Sequence, residues 1–382
     1  MGTPWALVGE TLTLSGPARA AVVVRDEKIV DVVRDPISGD LPSDRREFAG
    51  LLCPGFIDLQ INGAFGADVG CDPRTVATMS AKLPSTGVTS YLPTLISSPS
   101  ELYEPFLAAL EHDGPKPGAR VLGAHLEGPF LAPSRKGAHD AANLRPVDTG
   151  FLRRLLGLGR VRVMTLAPEL TRAREAIELL REEGTVASAG HTEATYEEVL
   201  AAVDAGLELG THLYNAMSAM GHRAPGAVGA LLASERVRVG VVPDGVHVHK
   251  GALRVAYRIK GPENLFLVTD AMAAAGMPPG DYELGGRRVR LYDGAVRLPD
   301  GTLAGSALTM DLAVRNAAKL LGIPTRDAVR MATETPADVL GMRGKGRIVP
   351  GADADLALLA PDGAVEETVV AGVSVYRREE ES

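Results

Sequence analysis

The sequence predicts an α/β protein: a (β/α)8, TIM-like barrel carrying a small β-sandwich domain built from both chain ends. Three observations lead there. Short apolar runs alternate with helix signals through the middle of the chain. Both ends look β-rich instead. The length of 382 residues exceeds the roughly 250 that one such barrel uses, leaving material for a second unit. The expected boundaries are 1–52 and 346–382 for the small β domain, and 53–345 for the barrel.

Taken in order, Ala6–Leu14 and Ala20–Val24 are short apolar runs, and Lys28–Val33 follows the turn-like Asp26-Glu27. Near the other end, Asp355–Leu359 is apolar, Pro361-Asp362-Gly363 is a turn, and Glu367–Tyr376 is rich in valine. Between them, strands are expected at Gly55–Ile61, Thr89–Leu92, Arg120–Leu126, Arg160–Leu166, Thr185–Ala189, Leu207–Thr211, Val237–Val242 and Leu265–Thr269. Asp72-Pro73 opens a helix, as N-cap and first helical residue, that runs to about Leu83. Ser100–Glu111 is helical, and Thr171–Glu183 is helical with Gly184 as its stop. Thr195 and Glu198 form a capping box for a helix ending at Gly206. Repeated β–α alternation implies parallel strands with right-handed crossovers, and about eight units favour a closed barrel over an open sheet. Pro278 to Gly305 breaks the alternation. Its Gly285-Gly286, Asp293-Gly294 and Asp300-Gly301 pairs are hairpin signals.

Composition excludes several classes. Hydrophobic residues are 45% and charged residues 23%, enough apolar material for a large core, so disorder is excluded as the main state. The net charge of −8, with no long basic run, argues against a nucleic-acid surface. Two cysteines, Cys53 and Cys71, exclude a disulfide scaffold and suit a reducing cytoplasm. No stretch approaches 18 uninterrupted apolar residues, and the first ten residues carry no signal-peptide pattern, so neither membrane nor export is expected.

The chemistry sits at strand ends. His125-Leu126-Glu127 ends one run with an acid, Gly190-His191 and Thr211-His212 end two with histidines, and Thr269-Asp270 ends a fourth with an aspartate. The C-terminal strand ends of a barrel converge on one face, so these four residues are expected in one pocket. Glu127, His191 and His212 form a ligand set for a catalytic, zinc-like ion with an open water position, and Asp270 is left as a base. Singly, each has a plainer reading: a packed histidine, a turn carboxylate, a helix-capping aspartate. The coincidence of position separates the two readings.

Pro54-Gly55-Phe56-Ile57-Asp58, His125-Leu126-Glu127-Gly128-Pro129, Gly190-His191-Thr192, Thr211-His212-Leu213-Tyr214-Asn215-Ala216-Met217, Gly305-Ser306-Ala307-Leu308-Thr309-Met310 and Pro350-Gly351-Ala352-Asp353-Ala354-Asp355 resemble the N-acetylglucosamine-6-phosphate deacetylases, a family of the amidohydrolase superfamily. The resemblance runs from about residue 5 to 376. It implies hydrolysis of the acetamide of N-acetyl-D-glucosamine 6-phosphate to D-glucosamine 6-phosphate and acetate, with metal-activated water as nucleophile and Asp270 as general base and then acid. It implies one divalent ion per subunit on Glu127, His191 and His212, zinc first, with iron, cobalt or manganese as alternatives. Many superfamily members carry His-x-His where this chain has Gln60-Ile61-Asn62. Amides are poor transition-metal ligands, so a second tight ion is not expected, and Gln60 is expected to orient water near the metal.

The resemblance further places Ala138 and His139 beside the substrate, His139 polarising the acetyl oxygen. It places Asn215 and the amide of Ala216 on the phosphate, His247 on the sugar, and Leu303, Ala304 and Gly305 in a covering loop. Arg223 is expected to reach a neighbour's active site across a homodimer, gripping phosphate with its planar fork. His112 and His222 receive no role. A rival amidohydrolase activity on cyclic amides or nucleobases, and a scaffold without catalysis, both fit less well. The first calls for the His pair that Gln60 and Asn62 replace, and the second for loss of a ligand or base.

Overall fold

The computed structural model describes residues 2–37, 39, 41–70, 72, 74–111 and 117–379. Cys71, Pro73 and His112 lie outside them. Eight parallel strands form the body of the protein: Phe56–Ile61, Val88–Ile96, Ala124–Glu127, Val161–Leu166, Val186–Ala189, Leu207–Gly210, Arg238–Val241 and Leu265–Leu267. Each pairs in parallel with the next in chain order. The last closes on the first just beyond its own end, where Asp270 N–H donates to Gln60 O at 3.0 Å and Asn62 N–H to Ala271 O at 2.7 Å. The strands are mostly buried on both faces because side chains fill the barrel inside and helices cover it outside.

The helices form where the sequence places their punctuation. Thr195 Oγ1 accepts from Glu198 N–H while the Glu198 carboxylate accepts from Thr195 N–H, closing the expected capping box ahead of Tyr196–Ala205. Helix Ala173–Glu182 buries Ala173, Ala176, Ile177 and Leu180, a stripe at helical spacing, and Gly184 follows at φ 70°. Ser100–Glu111 keeps its expected bounds. One expectation needs correction. The first helix is Thr75–Lys82, with no side-chain cap, and Asp72 instead grips the amide and guanidinium of Arg74.

The chain ends build a separate, connected sheet of seven strands. Its order is Val373–Arg377, Val365–Val370, Leu356–Leu359, Arg45–Pro54, Trp5–Thr13, Gly16–Arg25, Lys28–Arg34. All pairs are antiparallel except Trp5–Thr13 with Arg45–Pro54. The valine-rich run Glu367–Tyr376 holds two strands, because Ala371-Gly372 turns between them with both φ positive. The expected excursion above the last barrel strand is a three-stranded sheet, Gly280–Leu284, Arg287–Tyr292 and Ala295–Arg297. Asp293-Gly294 makes its second turn, with φ 47° and 72°, the geometry that pair favours.

Candidate metal centre

A cavity of about 360 Å³ opens at the C-terminal ends of the barrel strands. Glu127, Ala138, His139, His191, His212, Asn215, Ala216, His247, Asp270, Leu303 and Gly305 of the expected set line it. Ala304 is fully buried behind the wall, its amide bonded to Val296 O. Arg223 is exposed on the loop after Met217 and does not line its own chain's cavity; His222 is exposed beside it.

The strand ends bend to deliver these side chains. His191, His212 and Asp270 have φ of 50°, 30° and 48°, in the left-handed region that side chains with a Cβ rarely adopt. Such strain persists only where the surroundings enforce it, and here it turns three polar side chains off parallel strands into one space. Glu127 Oε1 lies 3.0 Å from Nε2 of both His191 and His212, and the two nitrogens are 3.1 Å apart. All three residues are buried. Burial raises the Glu127 carboxyl, but hydrogen bonds from the two imidazoles outweigh it and hold Glu127 well below the usual carboxylate range. Burial lowers His212 and Glu127 more than restores it, to above its ordinary value. An ion at this point competes with the proton for the same nitrogen.

Hydrogen bonds sort the imidazoles by role. His191 Nδ1 lies 2.8 Å from Arg135 O, which only accepts, so Nδ1 carries a hydrogen and Nε2 is the nitrogen turned toward Glu127. A backbone carbonyl behind the ring is the usual support of a metal-binding histidine. His139 has the opposite arrangement. Ser97 N–H donates to its Nδ1 at 3.2 Å, which puts the hydrogen on Nε2, 4.0 Å from Glu127 Oε2. Burial lowers His139 to about 3, so the ring is neutral. Glu127, His139 and His191 also lie close enough to hold an ion between them. The tautomer of His139 favours a donor, while the Glu127, His191 and His212 atoms also meet, 3.0 to 3.1 Å from one another. His212 Nδ1 has no partner among the described residues.

Asp270 is raised from the ordinary range by burial and by the charge of Glu127. Two neighbouring carboxyls pushed in opposite directions are the arrangement that separates a ligand from a proton carrier. Gln60 Nε2 donates to Glu127 Oε1 and to Asp270 Oδ1, both at 3.2 Å, and Asn62 Nδ2 donates to Asp270 Oδ1 at 3.0 Å. The two amides at the His-x-His positions thus brace carboxylates, with Gln60 in direct contact with both.

Three contributors escaped the sequence. Asp58, under Asp270, accepts from Thr269 Oγ1 and from the amides of Gln60 and Thr269. His125 lies one layer beneath Glu127, with Nδ1 donating to Leu59 O and Nε2 accepting from Thr165 Oγ1. That hydroxyl continues to Thr211 and Ser188. Burial lowers His125 to about 4, so it is neutral. Asp244 holds His247. Asp58 and His125 stand in motifs quoted above but drew no role there, and Asp244 is marked only by the Asp-x-x-His spacing of 244 and 247.

Fold and site together define the class: a closed parallel barrel with a carboxylate–imidazole metal centre at its strand ends. Residues 51–375 match the amidohydrolase family. The chain belongs to the amidohydrolase family. It is 40% identical over 345 residues to N-acetylglucosamine-6-phosphate deacetylase of Danio rerio, covering 86% of this chain and 85% of that one. It is 38% identical over 330 residues to N-acetylgalactosamine-6-phosphate deacetylase of Escherichia coli O157:H7, covering 85% and 87%. The structure of a Mycobacterium smegmatis N-acetyl-D-glucosamine-6-phosphate deacetylase mutant in complex with N-acetyl-D-glucosamine-6-phosphate superposes with a TM-score of 0.91 at 35% identity, over 98% of this chain and 100% of that one.

Proposed function

We propose that the protein hydrolyses the acetamide of N-acetyl-D-glucosamine 6-phosphate, releasing acetate and D-glucosamine 6-phosphate. The observation that carries this is the meeting of Glu127, His191 and His212 with Asp270 in one cavity. Glu127, His191 and His212 would hold a divalent ion, zinc by the mixture of imidazole and carboxylate donors, and when bound it would supply Lewis-acid polarisation of the carbonyl and acidification of the attacking water. Asp270, braced through Oδ1 by Asn62 and Gln60, takes a proton from the attacking water and passes it to the departing nitrogen. His139, neutral with its hydrogen on Nε2, donates to the acetyl oxygen as negative charge gathers there. His247 meets the sugar, Asn215 and the Ala216 amide meet the phosphate, and Leu303 and Gly305, with Ala304 packed behind them, cover the ring. Arg223 supplies a cation to the neighbouring subunit of a homodimer, which accounts for an exposed arginine absent from its own cavity. A phosphorylated substrate fits a cytoplasmic site.

Amine release from N-acetylglucosamine 6-phosphate, set against the unphosphorylated sugar, tests this with metal content measured on the same sample. Equal rates on both sugars, or none on either, would refute it. The galactosamine epimer belongs in the same assay, because a relative at 38% identity is named for it.

A further inference from the structure

Asp244 and His247 stand in the loop after the seventh barrel strand, with side chains only 10% and 6% exposed. Asp244 Oδ2 lies 2.6 Å from His247 Nδ1, and Asp244 Oδ1 accepts from the amides of Val246 and His247, both at 2.8 Å. Both oxygens are therefore committed. Burial raises the Asp244 carboxyl, but hydrogen bonds from the ring and amides outweigh it and keep it below its ordinary range, so it is ionised. An ionised carboxylate only accepts, so Nδ1 of His247 carries a hydrogen, and in the neutral ring that leaves Nε2 with its lone pair.

We infer that Asp244 is a positioning residue that fixes both the orientation and the tautomer of His247, presenting an unprotonated Nε2 as the hydrogen-bond acceptor for a sugar hydroxyl. The inference rests on the proposed function for the identity of that hydroxyl, but not for the tautomer. A histidine free to choose its tautomer would offer a donor or an acceptor with equal ease. Held by Asp244, it offers one, and a substrate must bring a hydroxyl hydrogen to that point. The carboxylate thus sets part of the sugar specificity without touching sugar.

Asp244→Asn makes the test sharp. The amide oxygen has to stay on the two backbone N–H groups, which turns the NH2 toward His247. Nδ1 then becomes the acceptor, and the ring hydrogen moves to Nε2. In 15N spectra of the metal-loaded protein with labelled histidine, the wild type should show His247 protonated at Nδ1 and the variant at Nε2, with His247→Ala identifying the signal. KM for the phosphosugar should rise about tenfold, the worth of one hydrogen bond, with kcat changed less than about threefold. Placed on a His247→Ala background, Asp244→Asn should add nothing, because the two residues act as one. An unchanged tautomer overturns the inference. So does an equal rise in KM on both backgrounds, which would make Asp244 only a brace for the loop. An unaltered KM in His247→Ala overturns the sugar contact and with it the proposed placement of substrate, while the ring signal still decides the relation between Asp244 and His247.

Discussion

Thr269 Oγ1 donates to Asp58 Oδ2 at 2.5 Å, joining the last barrel strand to the first one residue below Asp270. The pair closes the barrel where backbone pairing alone is thin, and it sets the base of the bend that carries Asp270 into the cavity. Burial pushes Asp58 up to about 7 despite three donors.

That shift has a sign. The folded protein holds the Asp58 proton more tightly than the unfolded chain, whose carboxyl loses it near 3.8. The resulting stability is full below that value and drains away as pH rises to about 7, by up to about 4 kcal/mol. Asp58→Asn keeps an acceptor for the amides and a partner for Thr269 but cannot ionise. Denaturant melts at pH 5 and pH 8 should show the variant gaining on the wild type at the higher pH. A constant difference between the two proteins would place the Asp58 pKa elsewhere.

Asp270→Asn preserves size and the contacts with Asn62 and Gln60 but removes the proton acceptor. General acid–base catalysis is worth about 10²–10⁴-fold, so kcat should fall by that much with metal still bound. Turnover near the wild-type value would remove Asp270 from the proton path.

Arg223→Ala addresses the proposed subunit contact. Loss of a charge-assisted hydrogen bond costs roughly 1.5–3 kcal/mol, so KM for the phosphosugar should rise about 10- to 150-fold. The unphosphorylated sugar should notice little. Matching losses on both sugars would mean that Arg223 supports the fold or the dimer, and a monomer in sedimentation would exclude its service to a neighbour.

Metal content is the fourth measurement. Gln60 and Asn62 are neutral amides whose carbonyl oxygens are weak ligands for a transition ion, so they offer no strong ligand to a second one. Elemental analysis after exhaustive dialysis should return close to one equivalent, zinc foremost. Glu127→Gln should lose most of it, because a neutral amide replaces the anionic ligand. Two tightly held equivalents would show that the amides do not exclude a second site.

The sequence by itself determined the barrel and the residues at its rim. Alternating strand and helix signals, the Thr195–Glu198 capping box and the Asp293-Gly294 turn are local devices, set by residues within a few positions of one another, so they are legible without the fold. Glu127, His191, His212 and Asp270 were legible for a related reason: parallel strands force their C-terminal ends together whatever lies between them. What only the tertiary structure decided are relations across long separations. The sequence could not give Asp58 its partner 211 residues away, or set His125 beneath Glu127 between strands one and four. Nor could it give the tautomers of His139 and His191, which depend on Ser97 N–H and Arg135 O. Those choices turn on a single hydrogen, and its place is fixed by whichever donor or acceptor the folded chain happens to bring within about 3 Å.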